Sequence, residues 1–266
     1  MFRNLGENQV MEIIDSAKCS IFFIDEDQKV TLHDIWEKEE IKNRARKFLI
    51  PVKELKLSSQ FRCDGSDGYL AWLDNILQIK ETANEELDKH HYDFKVVSSP
   101  TELRNIILEK NIKDNKARLV AWYCWNWISE WKNNSNIHDI VIPEHNFSMS
   151  RNLWNSTTRA IDPSSVNEVW CIHTCQWLEF NYIWVIVWKD LIVRNWKIIT
   201  QPEERAKTDS SLKWYKKLLE IDREWTLKKV DKIIKNTYRT LMTRGMKGCY
   251  VYFVDKETEE YFRSRI

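Results

Sequence analysis

The stretch from 167 to 191, NEVWCIHTCQWLEFNYIWVIVWKDL, constrains the fold of this chain more than any other part of it. Residues 168–172 predict a short buried strand, and residues 182–188 predict a longer strand that is apolar at every position. A strand that is apolar on both faces is typical of a parallel sheet covered by helices. The turn between the strands carries His173, Gln176 and Glu179. Because α/β sheets bind ligands at strand ends, these three side chains are candidate site residues.

The rest of the chain continues the same alternation. Further strands are predicted at 20–24, 94–98, 118–124, 138–142 and 249–254. Apolar spacing predicts helices at 7–17, 37–48, 100–110 and 225–242, and one more through Leu70, Leu73 and Leu77. Residues 79–93 are interpreted as a surface connection, 145–163 as loop, and 200–211 as a charged, exposed segment. Strands that alternate with helices predict an α/β fold with a mostly parallel sheet.

Length and charge set broad limits on function. A chain of 266 residues is long enough for one large or two small domains with a core. Its 41 Lys and Arg nearly balance its 40 Asp and Glu, so no strong overall field indicates a nucleic-acid or membrane partner. A neutral total still leaves room for a local basic groove. The sequence has no signal peptide and no run of about 18 apolar residues, which predicts a cytoplasmic protein without a membrane partner.

The six cysteines are scattered along the chain. Cys171 and Cys175 have a CxxxC spacing, but no second pair accompanies them, so the indication of a zinc site is weak. Several cysteines fall inside predicted strands, where a thiol behaves as a small apolar side chain. The prediction is therefore buried, reduced thiols and no metal site.

Three motifs in chain order resemble those of the superfamily 1 helicases: IDEDQ at 24–28, IHTCQWLEF at 172–180 and NTYRTLMTRGMKGCYVY at 236–252. More closely, the chain resembles the Schlafen-like DNA/RNA helicase domain family, bacterial proteins largely uncharacterised in function. The likeness runs from FFIDEDQKVTLHDI through SQFRCDGSDGYLAWLDN and AWYCWNW to the final strand. It implies an α/β, RecA-like fold with a mostly parallel sheet flanked by helices. Residues 1–56 would be the end of a first RecA-like domain, and 57–266 a complete second one.

The resemblance also implies a nucleotide site for ATP and Mg²⁺. Asp25 and Gln28 match the motif that links the nucleotide to the nucleic-acid track, with Gln28 expected to sense the γ-phosphate. Arg62 and Arg244 match two arginines that reach this phosphate from the second domain. Two guanidinium groups suit phosphoryl transfer because charge develops on the phosphoryl oxygens, and lysine lacks their forked geometry. The alternatives are a solvated acidic turn at 25–28 and ordinary salt-bridge roles for the arginines.

The central motif carries the implied contacts to nucleic acid. His173, Gln176 and Glu179 match family positions that contact ribose and the nucleic-acid strand, so DNA or RNA is the implied partner. His173 is equally well interpreted as a histidine packed in a turn, and Glu179 as a cap or a local ion-pair partner. Trp125 and Trp127 are candidates for stacking on bases, although core packing is the favoured interpretation.

Two family motifs are missing from the sequence. No GxxxxGK[ST] loop to cradle a triphosphate occurs in it, nor the DEAH-like motif expected before 24–28. The chain is therefore interpreted as the C-terminal part of a helicase or translocase, inactive toward ATP alone, with Met1 an internal methionine. The alternatives are a nucleotide-gated switch or defence scaffold that binds without unwinding, and an inert fragment. The sequence does not choose between DNA and RNA, a polarity or an oligomeric state.

The tryptophan content is abnormal. The chain has 14 Trp and 5 Gly, whereas glycine normally makes up about 7% of a protein. Where the family pattern has glycine, tryptophan stands at eight positions: Trp36, Trp122, Trp170, Trp177, Trp184, Trp188, Trp196 and Trp214. Overpacking by a few methylenes costs about 1–3 kcal/mol, so eight indoles would exceed the roughly 5–15 kcal/mol that stabilises a domain. The hypothesis is that the source reads UGA as glycine; the alternative is a divergent chain that carries these indoles.

The codons of the source gene test this hypothesis. We expect UGA at the eight positions and UGG at Trp72, Trp125 and Trp127, where the family itself has tryptophan. UGG at all of them would show that the indoles are native.

Overall fold

The computed structural model describes residues 9–32, 38–56, 62–88, 90, 92–126, 128, 134–152, 158, 160–175 and 178–266, and only the backbone of Arg62. The chain divides into two units: unit 1 comprises Met1–Lys29 and His33–Ser58, and unit 2 comprises Val30–Leu32 and Ser59–Ile266. In the described part, no helix has the length and apolar character needed to cross a membrane. The predicted boundary between two RecA-like domains at 56/57 stays a prediction.

Unit 1 contains two described helices, α1 (Gln9–Ser16) and α2 (Lys38–Lys47), which pack through Val10, Ile14, Ile41 and Ala45. Residues 20–24, predicted to form a strand, have irregular backbone and belong to no described sheet. Ile21 and Phe23 are 76% and 84% exposed, while Phe22 and Ile24 pack against the helices. The strand prediction is wrong for the described structure because a strand needs a neighbour to pair its backbone groups, and unit 1 offers none in the part described.

Unit 2 is built around a five-stranded parallel sheet with the order β1-β9-β6-β2-β5. The strands of unit 2 are β1 (Asp93–Val96), β2 (Ala117–Ala121), β3 (Ile140–Ile142), β4 (Phe147–Met149), β5 (Val169–Trp170), β6 (Phe180–Val187), β7 (Leu191–Arg194), β8 (Lys197–Thr200) and β9 (Gly245–Phe253). β3 pairs with β4, and β7 pairs with β8, as two antiparallel hairpins. The predicted α/β fold with a mostly parallel sheet is confirmed.

Helices cover both faces of this sheet. They are α3 (Asp67–Ile76), α4 (Pro100–Asp114), α5 (Ile172–Cys175), α6 (Tyr215–Ile221), α7 (Arg223–Met242) and α8 (Lys256–Arg263). Along β6, Ile183 and Val185 join the apolar cluster that contains residues of α3, α7 and α8. Trp184 and Ile186, which alternate with them, join the cluster that contains residues of α4. The apolar run in the sequence thus reflects burial on both faces, which is the RecA-like arrangement.

Helix α7 begins where the sequence gives it a cap. Asp222 accepts a hydrogen bond from the Trp225 N–H at 3.0 Å, which satisfies one of the free donors of the first turn. The buried face carries Val230, Ile233 and Ile234 at helical spacing, as predicted. Burial of this stripe against the sheet directs the chain back so that β9 starts directly after α7.

The segment 200–211 is less exposed than predicted. The Arg205 Nε donates to Asp190 Oδ2 at 3.0 Å, and its Nη1 donates to Ser211 Oγ at 2.9 Å. Both Arg205 and Ser211 are buried, so the prediction of an exposed segment is wrong at these two residues. Charged side chains can be buried when they are paired, and the partner Asp190 lies too far along the sequence for a local pattern to reveal.

The turn between β7 and β8 bears on the tryptophan hypothesis. Arg194 pairs with Lys197, so Asn195 and Trp196 form a two-residue loop, and both have positive φ, of 50° and 63°. This is the backbone of a type I′ turn, for which Asn-Gly is the preferred sequence. Trp214 also has a positive φ, of 72°. Left-handed backbone costs an L-residue about 1–2 kcal/mol, so two of the eight positions favour glycine on backbone grounds.

The remaining positions give a mixed result. The indole nitrogen of Trp184 is buried and has no hydrogen-bond partner in the described structure, which is unfavourable. Trp122 and Trp170 are also buried, but their indole N–H groups donate to Asp209 and to the Ser165 carbonyl, each at 3.2 Å. Trp36 and Trp177 lie outside the described residues. The unsatisfied indole nitrogen at position 184 and the left-handed backbone at positions 196 and 214 favour the recoding hypothesis, while positions 122 and 170 accommodate their indoles.

The Trp196→Gly substitution tests the turn argument. We expect it to stabilise the chain by about 1–2 kcal/mol, because glycine adopts the left-handed backbone without the steric cost. The midpoint of urea unfolding should rise. Trp225→Gly is the matched control: Trp225 is also exposed but lies in α7, where glycine is unfavourable by about 0.5–1 kcal/mol. A fall in the midpoint for Trp196→Gly would contradict the argument.

Candidate functional site

Two of the predicted site segments meet at the amino ends of β6 and β9. The Phe180 N–H donates to the Arg244 carbonyl at 3.0 Å, and Phe180 lies opposite Gly245 in the strand register. Glu179 directly precedes β6 and Arg244 directly precedes β9, so the backbones of these two residues lie side by side. The Glu179 side chain is exposed, so it is free to face a ligand or solvent.

The turn at 62–65 reaches the same place. The Cys63 thiol donates to the Thr243 carbonyl at 3.8 Å, and the Tyr69 hydroxyl of α3 donates to the Met242 carbonyl at 3.0 Å. Arg62 directly precedes Cys63, and Arg244 directly follows Thr243. The structure therefore brings the backbones of both predicted arginines to one edge of the sheet, although they are far apart in sequence.

The turn that presents Arg62 has an unusual backbone. Cys63, Asp64 and Gly65 all have positive φ, of 52°, 55° and 73°. Each non-glycine residue in this region costs of order 1–2 kcal/mol, so the surrounding structure must hold the turn. Cys63 is fully buried, and Ser66 caps α3 by accepting from the Tyr69 N–H at 3.2 Å. Strained backbone of this kind clusters at functional sites, which favours a site at Arg62.

The Arg244 side chain is held inside the protein. It is 2% exposed, and its Nε donates to the Thr240 carbonyl one turn earlier in α7, at 3.1 Å. Burial raises the pKa of the Cys175 thiol, Cys171 adds to this effect, and the positive charge of Arg244 opposes it. The Arg244 guanidinium therefore lies near the Cys175 thiol of α5, the helix that begins the central motif.

Glycine follows Arg244 because no side chain fits there. A Cβ atom at Gly245 would lie 2.1 Å from the Gly248 carbonyl oxygen and 3.1 Å from the Tyr92 hydroxyl. The Tyr92 hydroxyl donates to the Gly245 carbonyl at 2.9 Å, so it holds the start of β9. Tyr69 and Tyr92 stack on each other with ring centroids 3.9 Å apart. These two tyrosines position the Arg244 turn.

The sequence interpretation missed both tyrosines. Tyr92 falls in the segment 79–93 that was predicted to be a surface connection, yet it is 3% exposed. Its partner lies 153 residues away, at Gly245, and no local pattern signals such a contact. Tyr69 stands among the apolar residues of α3, where its hydroxyl gave no reason to expect a distant carbonyl partner.

The other predicted site residues lie elsewhere. His173 is exposed in the first turn of α5, after the carboxyl end of β5, with its ring 6.0 Å from Trp122 and 5.7 Å from Tyr123. His173 and Glu179, the two described ends of this motif, thus lie at the carboxyl ends and the amino ends of the strands. Gln176 lies outside the described residues.

Asp25 and Gln28 belong to unit 1. The Gln28 side chain donates to Asp25 at 2.5 Å, and Asp25 also accepts from the Asp27 N–H at 3.1 Å. The acidic stretch therefore forms a short capped turn, Glu26–Gln28, which orients the two predicted side chains toward each other.

The tryptophans considered for base stacking give one clear result. Trp125 packs on Trp188 with ring centroids 4.5 Å apart, and its indole N–H donates to the Val141 carbonyl at 3.1 Å. This is the packing role that the sequence interpretation favoured. Trp127 lies outside the described residues.

A pair of glycine substitutions tests the close approach beside Arg244. Gly245→Ala should destabilise the chain by about 1–3 kcal/mol, since the new methyl group would collide with backbone. Gly68→Ala is the control, because its Cβ meets the Asn84 side chain at an ordinary 3.7 Å within α3. There alanine should stabilise by about 0.5–1 kcal/mol. Urea unfolding measures both, and equal effects would contradict the described start of β9.

Comparison with known proteins follows the same lines. The family model for the Schlafen group 3 DNA/RNA helicase domain matches residues 1–255. A Saccharomyces cerevisiae relative, "Uncharacterized protein YPL245W", is 25% identical over 286 residues, which cover 97% of this chain and 60% of the relative. The chain thus spans about 60% of the length of that relative. No solved structure matches the chain. With nearly its full length matched, the chain belongs to the Schlafen group 3 DNA/RNA helicase domain family.

Proposed function

We propose that the chain is the C-terminal part of an ATP-dependent DNA or RNA helicase or translocase, in which Arg62 and Arg244 contact the γ-phosphate of ATP. The observation that carries this proposal is the meeting of the two arginine-bearing segments, through Cys63 and Thr243, at one edge of the sheet. Family membership supports the nucleic-acid side of the proposal.

The chemistry of phosphoryl transfer suits two arginines on neighbouring backbone segments. Negative charge is spread over the phosphoryl oxygens as the bond breaks, so fixed positive groups lower the barrier when they are already in place. Arg244 is buried and tied to the Thr240 carbonyl, which limits its freedom before a ligand arrives. The strained turn at Cys63 and Asp64 restrains Arg62 in a similar way, because the turn fixes the backbone next to Arg62.

The residues present fit one side of an ATP site. Arginine guanidinium groups match phosphate oxygens, and the Thr240 hydroxyl, beside Arg244, is buried without a hydrogen-bond partner in the described structure. No GxxxxGK[ST] loop is present in the sequence to cradle the remaining phosphates, so in this proposal a Walker A half outside it would hold ATP and Mg²⁺. When bound, Mg²⁺ would supply charge neutralisation between the phosphates, and Asp25 of unit 1 is the carboxylate that the motif would assign to it.

The segment at 20–24 supports a missing half. Ile21 and Phe23 are exposed on one side of this apolar segment, while Phe22 and Ile24 cover the helices on the other. A segment that is apolar on both sides is typical of a central parallel strand. We infer that strands of the first RecA-like domain flank it in the complete protein and place Asp25 and Gln28 against ATP.

Coupling to nucleic acid would run through the central motif. α5 and the start of β6 connect His173, beside the carboxyl ends of β2 and β5, to Glu179, beside Arg244. A change in how Arg244 engages a phosphate therefore acts on the same backbone that carries the implied nucleic-acid contacts. Closing and opening of the two domains around ATP would then move the bound strand.

The proposal is tested by the ATP hydrolysis kinetics of the protein encoded by the longest reading frame that contains this chain. Arg62→Ala and Arg244→Ala should each lower the kcat of nucleic-acid-stimulated ATP hydrolysis by about 10³-fold or more, as loss of an arginine finger does. Arg244→Lys should not restore the rate, because an ammonium group lacks the forked geometry. Arg263→Ala is the control, since the described partners of Arg263 are Glu259 and Ser98 at the surface of α8.

Two outcomes would contradict the proposal. An unchanged kcat in both alanine variants would exclude the arginines from the reaction. A basal ATPase rate that DNA and RNA leave unaltered would favour a nucleotide-gated switch that does not unwind.

A further inference from the structure

The outer face of α7, over its first three turns, combines one aromatic and several basic side chains. Trp225, Lys228, Lys229 and Lys232 are spaced at i, i+3, i+4 and i+7, which places them on one side of the helix. These four residues are called the α7 basic face below. The opposite side of the helix is buried in the core, so the α7 basic face is directed outward.

Positive charge is concentrated around this face. Residues 213–232 contain seven Lys and Arg against four Asp and Glu, a net charge of +3, whereas the complete chain has +1. Three of the four carboxylates are engaged in local contacts. Asp222 caps α7, Glu224 pairs with Lys228 at 2.7 Å, and Asp231 accepts from the Thr200 hydroxyl at 3.0 Å and pairs with Lys235.

The two halves of α7 differ in how their cations are paired. In the second half, Lys235 pairs with Asp231 at 3.0 Å, and Arg239 pairs with Asp74 of α3. In the first half, Lys232 forms no ion pair with any carboxylate that the structure describes, and the Lys228 side chain is 75% exposed despite its pair. Lys232 and the exposed Lys228 side chain therefore lie on the same side of α7 as Trp225, where an external anion can reach them.

Trp225 has no core role that would explain a large apolar side chain at this position. It is 48% exposed, and the Lys229 ammonium lies 5.6 Å from its ring centroid. An indole flanked by cations is a stacking platform for a base, with ammonium groups placed to meet the neighbouring phosphates. Trp225 is also not one of the eight tryptophans that stand where the family pattern has glycine, and its codon in the source gene tests whether the native residue is tryptophan.

We propose that the α7 basic face binds single-stranded nucleic acid, with Trp225 stacking on a base and Lys228, Lys229 and Lys232 contacting phosphates. This inference rests on the proposed function and adds a contact remote from the central motif. α7 has 20 residues and is about 30 Å long, with Trp225 near one end and Arg244 just past the other. One rigid helix thus joins a nucleic-acid contact to the arginine that would contact ATP.

Binding of a fluorescein-labelled 16-nucleotide dT or rU strand to the 266-residue chain, followed by fluorescence anisotropy over a salt series, tests this inference. Trp225→Ala should weaken binding by about 5- to 150-fold, the range for loss of one base-stacking contact. The double variant Lys228→Ala, Lys232→Ala should reduce the slope of log K against log salt by about 1.4, because two phosphate contacts are lost on a single strand. Circular dichroism should show both variants folded, since all three side chains are exposed.

Two control variants match the changes elsewhere on unit 2. Trp196→Ala removes an indole that is 60% exposed on the β7–β8 turn, and Lys113→Ala removes an exposed cation at the end of α4. Both should bind as the unaltered chain does. Binding that is unaffected by Trp225→Ala and by the double lysine variant would overturn the inference and leave the proposed function intact. Failure of the unaltered chain to bind either strand, combined with an ATPase rate indifferent to nucleic acid, would overturn both.

Discussion

The pairing of β6 with β9 is the interaction on which the arrangement of unit 2 depends. Its register sets Phe180 opposite Gly245, and so places the residue before β6 beside the residue before β9. To begin β9 at that point, α7 must lie along the sheet and end at its amino edge. The Tyr238 hydroxyl donates to the Asp190 carboxylate and accepts from the backbone N–H of Trp188 at 3.2 Å. These two bonds hold α7 against the segment after β6. Asp190 is itself buried with Arg205, and burial raises the pKa of its carboxyl group although Arg205 opposes this. Loss of either partner of such a buried pair would lower the free energy of unfolding by about 3–5 kcal/mol, so both partners are needed to hold α7 in place.

This arrangement gives α7 two ends with different chemistry. Its carboxyl end places Arg244 at the sheet edge that the Cys63 turn also contacts. Tyr69 and Tyr92 hold the backbone there by hydrogen bonds to neighbouring carbonyl groups. Its amino end carries the exposed α7 basic face. The carboxyl end is held by buried contacts, whereas the amino end is free of them on its outer side. Under the proposed function, this helix would join the nucleic-acid contact at one end to the ATP contact at the other.

Sequence patterns were sufficient for the parts of the fold that depend on local order. The apolar runs in β6 and β9 and the stripe of Val230, Ile233 and Ile234 in α7 predicted buried strands and an amphipathic helix because burial repeats with the period of each element. The two arginines could be singled out, but not their proximity, since that depends on Cys63 meeting Thr243 across 180 residues. The left-handed backbone of Cys63 and Asp64 was equally hidden, because neither residue type announces it. The β7–β8 hairpin was missed for a different reason: its turn reads Asn-Trp, and the Asn-Gly signal that predicts such a hairpin is absent from the printed sequence.

The segment at 20–24 shows the reverse error. Its composition predicts a strand, and its surroundings in the described part of unit 1 supply no neighbour to pair with. A sequence pattern indicates which secondary structure a segment can form, whereas the structure shows whether a neighbouring strand is present to pair with it. Ile21 and Phe23 are left exposed for that reason.

A crystal structure of the longest gene product containing this chain, with a non-hydrolysable ATP analogue and a single strand bound, tests the central claim most directly. Guanidinium nitrogens of Arg62 and Arg244 should both lie within about 3.2 Å of γ-phosphate oxygens. The claim is contradicted if Arg244 keeps its bond to the Thr240 carbonyl while neither arginine approaches the nucleotide.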